Sequence, residues 1–130
     1  MYILKATHDD IPALMRLFER AKEIMRASGN LRQWGAGYPS VDVVHCDIER
    51  GVCYVVTNDV DGEIEATMAF IPGPDSTYSY IEGGAWLNDN PYHVIHRIAV
   101  AAPGKGYARR LLDWAFERTE TVRIDTHRDN

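Results

Sequence analysis

Gly104, Lys105 and Gly106 lie between two segments of different hydrophobic period, and that position limits what they could do. Upstream, Tyr92, Val94, His96, Ile98 and Val100 alternate with His93, Ile95, Arg97 and Ala99, so both faces carry apolar side chains, as in a strand interior to a sheet. Downstream, Ala108, Leu111, Leu112, Ala115 and Phe116 recur at helical spacing, with Arg109, Arg110, Asp113 and Glu117 on the opposite side. A glycine turn between strand and helix presents the first, unpartnered N–H groups of the helix and the positive end of its dipole. A phosphate suits that place, and glycine lets it approach the main chain. The residues therefore suggest a nucleotide or pyrophosphate ligand, with a plain two-glycine connector as the alternative. The turn is not a P-loop, because Lys105 is followed by Gly106 and Tyr107 with no Ser or Thr, and no glycine stands six residues before Lys105. Nor does it carry the three-glycine dinucleotide fingerprint.

The turn resembles the acetyl-CoA-binding motif of the GNAT superfamily of N-acetyltransferases, Arg/Gln-x-x-Gly-x-Gly/Ala after the fourth strand. Gly106 and Ala108 match its last two defining positions, and the flanking His-Arg-Ile-Ala-Val and Ala-Arg-Arg-Leu-Leu look like the same family. The likeness extends in element order over nearly the whole chain. Three features depart from it. Pro103 occupies the Arg/Gln position, the turn from Val100 is shorter than is common in the family, and the chain stops at Asn130, where members of the family usually continue with another helix and two strands.

The resemblance implies acetyl transfer from acetyl-CoA to a primary amine of a small molecule or peptide, by direct attack with both substrates bound. It implies that main-chain groups of Ile98, Ala99 and Val100 hold the pantetheine arm and polarise the carbonyl. The amides of Gly104, Lys105, Gly106, Tyr107 and Ala108 would hold the pyrophosphate, with the Lys105 cation in support. Candidates for the base are His96, which by alternation shares a face with Ile98 and Val100, and Glu82; a hydrogen-bonded core histidine is the competing reading. Trp34, Tyr38, Tyr80 and Trp86 could line an acceptor pocket, or equally act as lids on the core. His8, His45, His93 and His127 lack metal-ligand spacing, so no metal is expected.

The elements that must position these residues follow in chain order. Residues 2–6 read as a first strand, and Thr7 with Asp10 as a helix cap. Ile11, Leu14, Met15, Phe18, Ala21 and Met25 form one stripe of a long helix, widened by Leu17 and Ile24, that ends at Ser28 and Gly29. Ser40 caps a second helix reaching about Arg50. Residues 52–57 and 63–71 read as a hairpin, 92–100 as the central strand and 121–126 as the last strand. The expected fold is α/β (α+β), a GNAT-like mixed sheet with helices on both faces, truncated at its C-terminal end.

The chain has 130 residues, enough for one domain, and no linker or repeat divides it. A net charge of −5 with scattered basic residues argues against nucleic acid. No apolar run suits a signal peptide or a membrane span, so the expected compartment is the cytoplasm. Cys46 and Cys53 form no CxxC pair and are expected as small buried thiols. If the 130 residues are the whole product, a bare C-terminal helix bearing Trp114 and Phe116 points to a homodimer through that helix or the last strand. Two other readings remain open: a catalytically inactive CoA-binding or regulatory module, and a plain structural domain.

Overall fold

A computed structural model of the chain describes residues 1–29, 34, 37–73 and 91–124. Strand β1 (Tyr2–Lys5) leads through a single 3-10 turn (His8–Asp10) into helix α1 (Ile11–Ala27). Helix α2 (Val41–Glu49), strands β2 (Cys53–Thr57), β3 (Ile64–Pro72) and β4 (His93–Val100), helix α3 (Tyr107–Phe116) and strand β5 (Val122–Arg123) follow. The five strands form one sheet in chain order; the first three pairings are antiparallel, and β4 and β5 run parallel across the α3 crossover.

Local chemistry accounts for the helix starts. The Asp10 carboxylate accepts the Thr7 N–H at 2.8 Å, and the Ser40 hydroxyl accepts the Val43 N–H at 3.2 Å. Each satisfies a donor that the first turn leaves open. On α1 the buried face is Leu14, Leu17, Phe18, Ala21 and Lys22. Met25, expected in the stripe, is only partly buried, and Lys22 takes the buried position one turn after Phe18. Its stem is packed while its ammonium donates to Glu19 Oε1 at 3.0 Å.

Strand alternation sends side chains into two cores. Cys53, Val55 and Ala99 meet α1 and α2 on one face, and Val56, Ala66, Met68, Phe70 and Ile95 meet α3 on the other. Helices therefore cover both faces, as expected. Trp114 is not bare: it is 7% exposed, packs on Tyr54 and Phe70, and carries the Arg118 guanidinium 3.8 Å above its ring. Phe116 alone of the two rings faces solvent. The last strand is observed over Val122–Arg123, and residues 125–126 lie outside the described part. Among the described residues no helix is long and apolar enough to cross a membrane.

Candidate cofactor and acceptor site

Gly104 and Gly106 have φ of 80° and 81°, the left-handed conformation that disfavours every L side chain. A Cβ built at either position meets nothing within 4 Å, so glycine is needed for the backbone and the space before it is open. Gly106 caps α3 with no side-chain hydrogen bond, and no acidic residue lies in the first turn. The amides of Tyr107, Ala108 and Arg109 thus form the open end of the helix dipole, beside the exposed Lys105. These residues fit a pyrophosphate. The Tyr107 ring contributes from below: it is buried, and its hydroxyl accepts from Asn58 Nδ2 at 3.0 Å, fixing the start of α3 on the β2–β3 hairpin. From the other side Arg20 Nε of α1 donates to the Ala101 carbonyl at 2.6 Å, where the turn begins.

Strand β4 supplies an edge. It pairs with β5 only at His93 and Val94, so among the described residues its outer edge from Ile95 onward, including Ile98, Ala99 and Val100, has no strand partner. Its inner edge is irregular. Thr67 pairs with Ala99 and Ala69 with His96, which leaves Met68 opposite two residues, Arg97 and Ile98. This is a β-bulge, and Arg97 has φ of 53°. The extra residue inverts the alternation. His96, opposite Ala69, faces the α1/α2 side, whereas Ile98 and Val100 pack with Met68 in the α3 core. The expectation that His96 shares a face with Ile98 and Val100 is therefore corrected.

Arg97 is the residue that sequence reasoning missed. Its guanidinium donates from Nε to Asp47 Oδ2 at 2.7 Å and from Nη2 to Asp47 Oδ1 at 2.8 Å, a two-pronged contact with α2. A third bond runs from Nη1 to the Tyr38 hydroxyl at 3.2 Å, and Tyr38 in turn meets Trp34 edge-on, with ring centroids 6.4 Å apart. Burial opposes the guanidinium charge, but the bonds to Asp47 and Tyr38 outweigh it and raise the Arg97 pKa above its ordinary value. The signal was present in the sequence: an arginine amid apolar residues of an inner strand needs a carboxylate. Its identity as Asp47, 50 residues away, was not.

Of the four expected aromatic liners, Trp34 and Tyr38 come together beside the bulge, and Trp34 also packs edge-on against Phe18. Tyr80, Trp86 and the candidate base Glu82 lie outside the described residues. Cys46 is exposed, contrary to expectation, while Cys53 is buried. Burial pushes the Cys53 thiol from 9.0 up to about 11, only partly opposed by its hydrogen bond with Thr67. His8 and His45, distant in sequence, lie together with Glu49 on the surface.

No protein-family model matches the chain, and no curated protein matches it. Solved structures do. A GNAT-family acetyltransferase from Streptococcus agalactiae superposes with a TM-score of 0.86 and 32% identity, over 99% of this chain and 77% of that one. One from Listeria monocytogenes superposes with a TM-score of 0.72 and 18% identity, over 99% of this chain and 78% of that one, a likeness of fold. With a third of the residues shared with the first across almost the whole chain, the protein belongs to the GNAT family of acetyltransferases.

Proposed function

We propose that the chain transfers the acetyl group of acetyl-CoA to a primary amine of a small molecule or peptide, the amine attacking directly while both substrates are bound. The observation that carries this reading is the path from Ile98–Val100 of β4, whose outer edge has no strand partner among the described residues, into the first turn of α3, which starts at Gly106 without a side-chain cap. Amides of Gly104, Lys105, Gly106, Tyr107 and Ala108 receive the pyrophosphate, and main-chain groups of Ile98, Ala99 and Val100 align the pantetheine arm as an added strand would. In the reaction a C–N bond forms, the C–S bond of the thioester breaks, and the thiolate leaves with the electron pair. Holding the two reactants together supplies up to about 7–11 kcal/mol of the barrier reduction. Edge donors of β4 meet the negative charge that develops on the carbonyl oxygen. His96 or Glu82 takes a proton from the acceptor's ammonium so that the neutral amine can attack, and Trp34, Tyr38, Tyr80 and Trp86 border the amine.

Isothermal titration with acetyl-CoA, combined with a CoA-release assay over a panel of amines, tests the reading. Binding with turnover supports it. Binding without turnover for any amine replaces it with an inactive CoA-binding or regulatory module, and no heat with either acetyl-CoA or CoA removes the cofactor site. The pH profiles of kcat/KM for His96→Gln and Glu82→Gln assign the base; unchanged profiles and rates in both exclude these two. The same reading has the protein working in the cytoplasm and pairing with a second copy through the C-terminal helix or strand, where Phe116 is 55% and Ile124 44% exposed.

A further inference from the structure

On the surface of the α1/α2 side, three side chains from two elements converge. His45 and Glu49 stand one helical turn apart on α2, and His8 comes from the 3-10 turn that precedes α1. Both imidazoles aim Nε2 at the same oxygen, Glu49 Oε1, at 2.6 Å from His8 and 3.8 Å from His45. The His8 and His45 rings lie 4.7 Å apart, and one ligand atom from each of the three residues falls within 4.8 Å of the others.

We propose that His8, His45 and Glu49 form a binding site for a zinc-class divalent metal ion that clamps the end of α2 to the β1–α1 connection. Two imidazoles and a carboxylate are a donor set that zinc and its neighbours accept, and three protein ligands leave a fourth position to water. Zinc bonds of about 2.0–2.2 Å at tetrahedral angles place ligand atoms roughly 3.3 Å apart. The observed separations bracket that value, so small side-chain rotations close the site. A shared proton is the competing occupant. It accounts for the His8 contact, but the His45 nitrogen at 3.8 Å lies beyond hydrogen-bonding range of the carboxylate. A cation at the centre uses all three groups. Because Asp47 lies two residues before Glu49, such a clamp also steadies the helix that holds Arg97.

Titration of the metal-free 130-residue chain with Zn2+, followed by calorimetry and thermal melting, tests the proposal, with Co2+ as the spectroscopic substitute. One equivalent is expected to bind and to raise Tm. His8→Ala, His45→Ala and Glu49→Gln each weaken binding by roughly 10–100-fold, the range seen when a metal site loses even an outer hydrogen-bonding partner. Cys46→Ser, which removes the exposed thiol next to His45, leaves binding unchanged. Since all three ligands are solvent-exposed, the variants should melt like the parent without metal. As a check that needs no variant, Ni2+ added to the parent must selectively broaden the imidazole NMR signals of two of its five histidines. No binding at stoichiometric metal, binding that survives His8→Ala, binding lost with Cys46→Ser, or broadening of other histidines instead overturns the site.

Discussion

The pairing of Arg97 with Asp47 joins two charges whose side chains are only 13% and 7% exposed. Removing one partner strands the other charge, so Arg97→Ala should cost about 3–5 kcal/mol in urea unfolding. Arg97→Lys recovers only part of this, because an ammonium cannot reproduce the two-pronged contact. The double replacement Arg97→Met with Asp47→Leu should cost less than either single loss. Cys53 gives a pH signature of known sign. Its thiol titrates at 9.0 when unfolded and at about 11 when folded, so between these values the folded state holds the proton more tightly. Stability from this group is complete below pH 9 and is lost as pH rises towards 11. The loss is on the order of 2–3 kcal/mol. Cys53→Ala should flatten that part of the stability curve relative to the parent, and Cys46 alone should react with a thiol reagent in the native protein.

At the level of elements, the turn into α3 separates conformational from ligand effects. Gly106→Ala meets open space but keeps a positive φ, so it should lower stability by about 1–2 kcal/mol. Gly106→Asp adds a carboxylate at the helix cap, where it would accept the very amides proposed for the pyrophosphate. Its acetyl-CoA affinity should fall roughly 10–100-fold, the worth of a charged hydrogen bond, in calorimetry. An unchanged affinity would place the cofactor elsewhere. These two helix ends and the turn between strand and helix were legible in the sequence because their determinants are local: Ser40 three residues from Val43, Thr7 three from Asp10, Gly106 beside Tyr107. The bulge was not. Residues 92–100 alternate without a break when read alone, and only pairing with β3 shows that Met68 faces two residues. Lys22 escaped for a related reason, since hydropathy ranks its charge and not its four-carbon stem.

For the molecule as a whole, the mixed sheet with helices on both faces followed from element order, while the contacts that unite the site depend on distant parts meeting. Asp47 and Arg97, Arg20 and Ala101, and His8 with Glu49 are pairs that no local pattern announces. The proposed homodimer belongs to this scale. With Trp114 buried, the apolar surface at the C-terminal end rests on Phe116 and Ile124. Light scattering of the purified chain at micromolar concentration should give twice the monomer mass, and Phe116→Glu should shift it towards one copy. A soluble, cooperatively melting monomer in the parent would remove the proposal.

The bulge at Arg97 also separates what holds the sheet in register from what joins it to α2. A single inserted residue reverses parity, so residues 93–96 and 98–100 behave as two short strands with independent inside and outside assignments. Substitutions on one side leave the other side's assignments untouched. Deletion of Arg97 would leave them untouched as well: Met68 would then face Ile98 alone, and the ladder would run unbroken from His96 opposite Ala69 to Ala99 opposite Thr67. Ile95 would keep its place in the α3 core and Ala99 its place in the α1/α2 core, while the contact with Asp47 would be lost. The extra residue is therefore dispensable for the register of the two cores, and what it adds is a guanidinium placed against Asp47 and Tyr38.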